Sequence, residues 1–263
     1  MFKFCSLFSG SSGNALIIWN DQTRILIDAG VSGKRIQAAL EAISIDPRTL
    51  DAILVTHEHS DHASCVGVMS RRFNLPVYAT RGTWKGMAGC IGGVNVLNIR
   101  YFSSNEAFVI KNIEIRPFTI PHDAADPVGF SFLYGGRKIT VATDIGHMND
   151  SLIENIIGSD LLMLESNHDM VMLEKGRYPL VLKKRIKSDY GHLCNDIAGQ
   201  TIAGLAMRGG RRFLIGHLSA ENNYPELAYE TVSKCIAGSG FCVGNGIELH
   251  VAGRNEASMV FDI

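Results

Sequence analysis

Apolar residues in this chain form short runs, and several of these runs end abruptly in clusters of polar residues. Continuous or alternating apolar runs predict strands, whereas apolar residues spaced three or four positions apart predict amphipathic helices. In the first part of the chain, the pattern predicts strands over residues 2–8, 15–19, 24–27, 50–56 and 75–80, and helices over about 32–43 and 63–73. The stretch that follows, 81–93, is predicted to be helical or irregular.

The second part of the chain continues this arrangement. Strands are predicted over residues 94–99, 106–110, 113–118, 160–164, 213–215, 248–251 and 258–263, and helices over 194–207 and 226–235. Two apolar runs, 129–134 and 138–142, are joined by Gly135-Gly136-Arg137, which predicts a β-hairpin. Strands and helices that alternate in this way predict an α/β fold with mixed sheets, built as two packed halves.

Length and composition indicate an ordinary globular enzyme. The chain has 263 residues, of which 46% are hydrophobic and 19% are charged. This composition allows a sizeable core and argues against a disordered chain. Because α/β chains of this length often form one domain, we expect a single domain over residues 1–263.

Charge and cysteine usage restrict the class further. The net charge of −1 gives no general cationic field, so any affinity for nucleic acid must come from a local patch. The six cysteines include no C-x-x-C pair, which is typical of reduced thiols in a cytosol. We find no secretory signal and no apolar run of the roughly 18–20 residues that cross a bilayer. We therefore expect a cytoplasmic protein without a membrane segment, either a monomer or a small homo-oligomer.

Residues 56–62, Thr-His-Glu-His-Ser-Asp-His, follow a predicted buried strand and hold three imidazoles within six consecutive positions. His57 and His59 are two positions apart and can share one ion, whereas Asp61 and His62 can reach a second ion. Imidazole and carboxylate ligands without thiolates suit Zn²⁺, Mn²⁺ or Fe²⁺ and disfavour a closed structural zinc site. A polar loop that is merely rich in histidine is the alternative.

Four more residues of ligand type follow other predicted strands. His122 can complete the first imidazole set, and His217 can supply an imidazole to the second ion. Asp144 can bridge two ions, and Asp28 can orient a metal-bound histidine through its free N–H. The structural alternatives are a satisfied polar histidine at His122, an Asx turn at Asp144 and a helix N-cap at Asp28.

Other polar features have both a structural and a functional interpretation. Residues 9–14, Ser-Gly-Ser-Ser-Gly-Asn, are favoured as a tight connection between strands over an anion-binding loop. The basic residues within 177–187 form either a track for phosphates or the solvated face of a helix, and the sequence does not decide between them. We expect His147 to face solvent and His250 to be structural.

In order, these residues resemble the five motifs of the metallo-β-lactamase fold superfamily: Asp28, the H-x-H-x-D-H block at 57–62, His122, Asp144 and His217. The resemblance covers nearly the whole chain. It implies an α/β four-layered αββα sandwich, in which two mixed sheets pack face to face with helices outside. It also implies a ligand set: His57, His59 and His122 for one metal, Asp61, His62 and His217 for the other, Asp144 as the bridge, and Asp28 as a support behind them.

The ligand set in turn suggests the substrate. Two divalent ions, two carboxylates and a bridging hydroxide leave a charge of about +1, which favours an anion such as a phosphodiester. The bridging hydroxide is the expected nucleophile. Asp61 is the candidate to orient or deprotonate the attacking water, and His192 is the candidate general acid for the leaving oxygen. We therefore expect a dinuclear nuclease or phosphodiesterase with zinc or manganese, and iron as a third option.

Four segments resemble the YycJ/WalJ branch of that superfamily: residues 9–14, 165–169, 191–195 and 217–223. This resemblance implies a cytoplasmic 5′-to-3′ exonuclease that acts mainly on DNA, with RNA as a second option. Cys194 stands where we expect a serine in that branch. The candidate residues for contact with the substrate or its phosphates are Ser11, Ser12, Asn14, His168, Ser219 and Asn222.

The main alternative is a hydrolase of small molecules, such as a cyclic phosphodiester, a lactone or a thioester. The interval between Asp144 and His217 is too short for the inserted domain of RNase J, and that between His122 and Asp144 is too short for the protruding arm of tRNase Z. A di-iron redox protein of the same fold is disfavoured by the histidine-rich ligand set. Periplasmic β-lactamase activity is disfavoured by the missing export signal.

Overall fold

The computed structural model describes residues 1–263, which form fifteen strands and nine α-helices. The strands are β1 Lys3–Phe8, β2 Ala15–Trp19, β3 Arg24–Ile27, β4 Ala52–Leu54, β5 Val77–Ala79, β6 Ile99–Tyr101, β7 Phe108–Ile110, β8 Ile113–Thr119, β9 Val128–Tyr134, β10 Arg137–Ala142, β11 Leu161–Glu165, β12 Arg212–Gly216, β13 Cys242–Val243, β14 Gly246–Val251 and β15 Phe261–Asp262. The helices are α1 Gly33–Ala42, α2 Ser60–Ala63, α3 Val66–Phe73, α4 Arg81–Met87, α5 Asp150–Ile156, α6 Met170–Lys175, α7 Leu180–Ile186, α8 Asn195–Met207 and α9 Pro225–Gly238.

The strands form two mixed sheets. The first has seven strands in the order β15-β1-β2-β3-β4-β5-β6, antiparallel up to β3 and parallel from β3 onwards. The second has eight strands in the order β13-β14-β12-β11-β10-β9-β8-β7, parallel from β14 to β10 and antiparallel from β10 to β7. The first sheet thus combines strands β1 to β6 with the C-terminal strand β15, and the second sheet contains β7 to β14. Both predicted sheets are confirmed as mixed.

Three separate apolar cores divide the molecule into four layers. The first core packs α1, α3 and α4 on the seven-stranded sheet, through side chains such as Ile36, Met69 and Trp84. The middle core lies between the two sheets, and the third packs α5, α8 and α9 on the eight-stranded sheet. Helix, sheet, sheet and helix then follow one another, which confirms the predicted αββα sandwich.

Strand β3 shows why the sequence pattern is so strongly apolar. Leu26 belongs to the outer core, whereas Ile25 and Ile27 point to the other face and belong to the core between the sheets. A strand that is buried on both faces has no polar side to present, so it reads as a continuous apolar run. Such runs locate the strands but do not by themselves give the pairing order.

Several predicted boundaries differ from the structure. The strand predicted over 94–99 is wrong, because residues Val96–Asn98 form a 3-10 turn and the strand begins only at Ile99. The Asn95 side chain accepts from the Leu97 N–H at 3.0 Å and caps this turn, which leaves Val96 and Leu97 exposed. The closing strand predicted over 258–263 shortens to Phe261–Asp262, and the helix predicted over 63–73 is divided into α2 and α3. None of the nine helices has both the length and the apolar character needed to cross a membrane.

Candidate metal centre

The polar residues that follow the strands of both sheets meet at one edge of the sandwich. Asp28 follows β3, Asp144 follows β10 by two positions, and His217 follows β12. All three have left-handed backbone conformations, with φ of 61°, 61° and 55°. For residues other than glycine such conformations cost about 1–3 kcal/mol each, and they cluster at functional sites because the surrounding contacts enforce them.

Three imidazoles form the first group of ligand-type atoms. His57 Nε2 lies 3.1 Å from His59 Nδ1, which in turn lies 3.2 Å from His122 Nε2. The other ring nitrogens are engaged, since His122 Nδ1 donates to the carbonyl of Gly191 at 3.1 Å and His57 Nδ1 contacts Thr56 Oγ1 at 3.0 Å. Because their Nδ1 atoms are engaged in this way, the Nε2 atoms of His57 and His122 both direct a lone pair at the centre. His59 Nδ1 lies near both atoms and can donate a hydrogen bond to only one of them.

The protonation states of this group suit a cation. Burial, reinforced by the neighbouring His62, holds the pKa of His57 well below its ordinary value of 6.5. Burial also lowers the pKa of His122. Both rings are therefore neutral at physiological pH, and neutral imidazole is the form that coordinates a metal.

The second group combines two imidazoles with two carboxylates. Asp61 Oδ2 lies 3.5 Å from His62 Nε2 and 3.5 Å from His217 Nε2. Asp144 lies between them, with Oδ2 3.3 Å from His62 Nε2 and Oδ1 3.4 Å from His217 Nε2. Its Oδ1 also lies 4.0 Å from Nε2 of His122, so Asp144 joins the two groups.

Two buried carboxylates hold the rings of the second group from behind. His62 Nδ1 donates to Asp28 Oδ2 at 2.7 Å, and His217 Nδ1 donates to Glu165 Oε1 at 2.8 Å. Each contact leaves Nε2 directed at the centre, as carboxylates do for metal-bound histidines in general. The N-cap alternative for Asp28 is not observed, because Ser32 caps α1.

Unsatisfied buried atoms indicate that the centre fits a metal. Asp144 Oδ2 and His217 Nε2 are buried and have no hydrogen-bond partner. A buried polar atom left without a partner costs about 1–3 kcal/mol, and a cation between these atoms would remove that cost. The Asx-turn alternative for Asp144 is not observed either, because the N–H of Gly146 donates to the carbonyl of Pro121.

Sequence reasoning did not assign a role to Glu165. This side chain is fully buried and accepts four hydrogen bonds, from His192 Nδ1 and His217 Nδ1 at 2.8 Å each and from the N–H groups of Ile145 and Leu193 at 2.8 and 3.1 Å. Burial opposes its ionisation, but the two histidines and their hydrogen bonds outweigh burial and lower its pKa to about 2. The sequence feature that could have identified Glu165 is its place at the end of a buried strand.

Comparison with known proteins agrees with this arrangement. Residues 23–218 match the family model described as the beta-lactamase superfamily domain. The chain is 39% identical over 247 residues to exodeoxyribonuclease YycJ of Bacillus anthracis, which covers 94% of both chains. It is 34% identical to exodeoxyribonuclease WalJ of Streptococcus pneumoniae serotype 2, over 100% of this chain and 98% of that relative.

The chain belongs to the metallo-β-lactamase superfamily.

A solved structure of the same superfamily confirms the fold. The metallo-β-lactamase fold protein YhfI from Bacillus subtilis superposes with a TM-score of 0.72 at 14% identity, and the match covers 100% of both chains. At this identity the likeness concerns the fold alone. It extends over both sheets and therefore over the whole metallo-β-lactamase sandwich described above.

Within this metallo-β-lactamase centre, His192 lies beside the two groups of ligand-type atoms. Its Nδ1 donates to Glu165 Oε1 at 2.8 Å and lies 3.8 Å from Asp144 Oδ1. Its ring centroid is 5.1 Å from that of His122 and 5.4 Å from that of His217. Because Nδ1 is engaged by a carboxylate, Nε2 is the nitrogen available to a substrate.

Electrostatics keeps the carboxylates of the second group ionised. Burial raises the pKa of Asp61 and Asp144, but the histidines around them outweigh burial and hold both pKa values well below the ordinary range. In return, although burial opposes protonation of His217, Asp144, Asp61 and Glu165 together raise its pKa to about 10. The carboxylates are therefore available as anionic ligands throughout the physiological range.

The motif is held in place by a close backbone approach. A Cβ built on Gly30 would lie 1.6 Å from the carbonyl oxygen of Asp61, so only glycine fits there. The N–H of Ala29 donates to the carbonyl of His62, and the N–H of Asn14 donates to that of Asp61. The loop after β3 and the end of the glycine-serine loop thus fix the position of two ligand-type residues.

The glycine-serine loop divides its candidate residues between the surface and the centre. Ser11 and Ser12 are exposed, and Ser11 Oγ lies 3.4 Å from the guanidinium of Arg254. Asn14 is buried, with its Nδ2 3.0 Å from His62 Nε2. Ser9, which was not predicted to have a role, accepts the His217 N–H at 2.8 Å and so positions that residue.

The remaining candidates for substrate contact are buried. Ser219 Oγ accepts from the Asn222 N–H at 3.2 Å, and neither side-chain atom of Asn222 has a hydrogen-bond partner. His168 is also buried, its Nδ1 has no partner, and burial lowers its pKa to about 4. A role of these three residues in binding substrate remains a prediction.

Two other histidines, His147 and His250, were predicted to lie outside the centre, the first facing solvent and the second in a structural role. His147 is half-buried rather than solvent-facing, and its Nδ1 donates to the carbonyl of Asp189 at 2.8 Å. His250 lies in β14 and packs edge-on against Phe261 with ring centroids 5.3 Å apart. This contact is structural, as predicted for His250.

The basic run lies in and around helix α7, at the rim of the centre. Arg185 donates to both oxygens of Asp123, the residue that follows His122. Lys183 and Lys187 contact Glu174, whereas Lys184 has no recorded ion pair. The run is thus a helix with a solvated face, and part of it also borders the centre.

Proposed function

We propose that this chain is a dinuclear metal-dependent phosphodiesterase that degrades DNA from the 5′ end, releasing one nucleotide at a time. The observation that carries the proposal is that seven ligand-type residues from both halves of the chain converge in two groups joined by Asp144, with His192 beside them. The names of the two full-length relatives support an exodeoxyribonuclease activity. RNA is the second substrate in the proposal.

In this proposal, the two groups of residues hold two divalent ions. The ions are zinc or manganese, with iron as a third option. His57, His59 and His122 would hold one ion, Asp61, His62 and His217 would hold the other, and Asp144 could serve both. When bound, the ions lower the pKa of a water molecule and stabilise negative charge on the phosphoryl oxygens. The chain's own side chains orient the reactants and move the protons.

Asp61 orients the attacking water. Its carboxylate is ionised and so can only accept hydrogen bonds, which suits the positioning or deprotonation of a water molecule. A quarter of the side chain is exposed, in contrast to the fully enclosed Asp144. Asp61 is therefore the carboxylate of this group that both water and substrate can reach.

His192 is the general acid. As the bond from phosphorus to the leaving oxygen breaks, the proton on His192 Nε2 passes to that oxygen, and the ring is left neutral. The buried carboxylate of Glu165 accepts the Nδ1–H of His192 at 2.8 Å and so fixes the orientation of the ring. Glu165 thereby positions both the acid and the ligand His217.

Cationic groups around the centre receive the phosphates of the strand. Arg254 lies beside Ser11 and also donates to the carbonyl of Leu218 at 2.6 Å, so a guanidinium borders the exposed hydroxyl of Ser11. Arg185 of α7 reaches the rim through its contact with Asp123, and Lys187 directly follows this helix. Contacts of this kind position a nucleic-acid backbone without reading its sequence. The six free thiols suit a reducing compartment, so the proposal places the enzyme in the cytoplasm.

The test combines metal reconstitution with end-labelled substrates. Metal-free protein is reloaded with Zn²⁺, Mn²⁺ or Fe²⁺ and incubated with single- and double-stranded DNA labelled at the 5′ or the 3′ end, with RNA in parallel. We expect metal-dependent release of labelled mononucleotides from 5′-labelled DNA at the earliest times. Release first from the 3′ end would refute the polarity, and hydrolysis of only small phosphodiesters, lactones or thioesters would support the alternative function.

A further inference from the structure

A cavity of about 540 Å³ lies directly beside the candidate metal centre. His192 forms part of its wall, and Gly146, two residues after Asp144, forms another part. The first two turns of α8 contribute Ile197 and Thr201 to the wall. The cavity and the centre are therefore neighbours that share the imidazole of His192.

The lining of this cavity combines apolar and polar groups. Met148, Met170 and Ile197 contribute apolar surface, and methionine adapts its shape to flat aromatic rings. Gln200 and Thr201 contribute an amide and a hydroxyl, which can pair with the polar edge of a ring. Apolar faces with a few polar groups are the usual lining of small-molecule sites of about 300–1,000 Å³.

The direction of degradation determines which part of the substrate lies on the His192 side of the centre. In hydrolysis from the 5′ end that leaves the phosphate on the shortened strand, the leaving oxygen is the 3′ oxygen of the terminal nucleoside. His192 donates its proton to that oxygen, so the nucleoside lies on the His192 side of the centre. His192 lines the cavity and also lies beside both groups of ligand-type atoms.

We propose that this cavity, the leaving-nucleoside pocket, binds the base of the 5′-terminal nucleotide during its release. The inference rests on the proposed function and adds the site that receives the released nucleoside. Its volume of about 540 Å³ accommodates one nucleoside, as the proposed release of single nucleotides requires. Lys187 lies in the lining and offers a cation to a phosphate of the same strand.

The first experiment removes the base from the substrate. Single-stranded DNA with an abasic tetrahydrofuran residue at the 5′ end is compared with ordinary DNA of the same sequence, by quench-flow analysis of the first cleavage. We expect removal of the abasic terminal residue to be about five- to tenfold slower, at the lower end of what stacking contacts to one base contribute, because the lining has no Phe, Tyr or Trp. An abasic residue at the 3′ end should leave the first cleavage unchanged.

The second experiment fills the pocket. Thr201→Trp inserts an indole into the lining, and Met207→Trp places the same group on the exposed end of the same helix as the control. We expect Thr201→Trp to slow cleavage of ordinary DNA. This variant should cleave ordinary and abasic 5′ ends at about the same rate. Met207→Trp should keep the full difference.

The outcomes separate this inference from the proposed function. Equal rates for ordinary and abasic 5′ ends in the wild-type enzyme overturn the inference while nuclease activity remains. A base effect confined to the 3′ end also overturns it. The absence of any nucleotide release from either end refutes the proposed function itself. The wild-type comparison needs no variant, so misfolding of Thr201→Trp does not affect it.

Discussion

Replacing Glu165 by glutamine tests how the centre is supported, because it changes two oxygens into one acceptor and one donor. The carboxylate accepts from the Nδ1–H of His192 and of His217 through Oε1, and from two backbone N–H groups through Oε2. In either orientation the new NH₂ group faces two donors. A hydrogen bond to a charged group contributes about 1.5–3 kcal/mol, so the loss of two should lower the free energy of unfolding by about 3–6 kcal/mol.

The same change should weaken metal binding and catalysis. Groups that orient a metal-bound histidine typically change metal affinity or activity about 10–100-fold when mutated. We expect Glu165→Gln to lose affinity for the ion near His217 by about that factor, measured by competition with a chromogenic chelator. Turnover should fall as well, because the acid His192 loses the same partner. Glu154→Gln, on the exposed surface of α5, is the matched control and should change stability by no more than about 0.5 kcal/mol.

The pH dependence of stability provides a further readout for Glu165. Its pKa of about 2 lies below the ordinary value of 4.5, so the folded state stabilises its ionised form relative to its protonated form. Its contribution is therefore complete above about pH 4.5 and is lost as the pH falls towards 2. Urea unfolding across this range should show a smaller loss in Glu165→Gln. Wild-type metal affinity and turnover in Glu165→Gln would refute the supporting role.

Three other changes have distinct expected outcomes. Asp61→Ala should abolish cleavage while the circular dichroism spectrum is unchanged, and full activity in this variant would remove Asp61 from the mechanism. His192→Ala should slow turnover by about 10²–10⁴-fold with metal content retained on elemental analysis, and an unchanged rate would exclude it as the acid. Gly30→Ala must displace the backbone of Asp61, so it should reduce both metal content and thermal stability, whereas Gly238→Ala, with open space around its Cβ, should reduce neither.

The sequence predicted the fold well because both sheets are buried on two faces. Apolar runs marked most strands, and the hairpin at Gly135-Gly136 was confirmed with its boundaries extended by one residue at each strand start. The prediction over 94–99 failed because Val96 and Leu97 are exposed apolar residues in a capped turn. Apolar pattern alone does not separate such a turn from a strand.

The ligand-type residues were also recognisable, because each follows a strand and the spacing of residues 57–62 is distinctive. Their supports were harder to identify. Glu165 contacts histidines that lie 27 and 52 positions away, and Ser9 contacts a backbone group 208 positions away. Nothing local in the sequence marks these pairs, since they depend on how the two sheets pack.

The occupied site carries less positive charge than the value of about +1 expected from Asp61 and Asp144 alone. Two further carboxylates, Asp28 and Glu165, are buried behind the ligand-type histidines. These carboxylates make the centre as a whole less positive, although each is engaged by imidazole N–H groups. The attraction of a nucleic acid therefore depends more on the cations at the rim than the sequence suggested.

The central claim is that two cations are held by residues from both halves of the chain. Anomalous X-ray diffraction from crystals loaded with Zn²⁺ or Mn²⁺ tests it most directly. We predict two peaks, one bound by His57, His59 and His122 and one by Asp61, His62 and His217, with Asp144 in contact with both. A single peak, or peaks away from these side chains, would contradict the account.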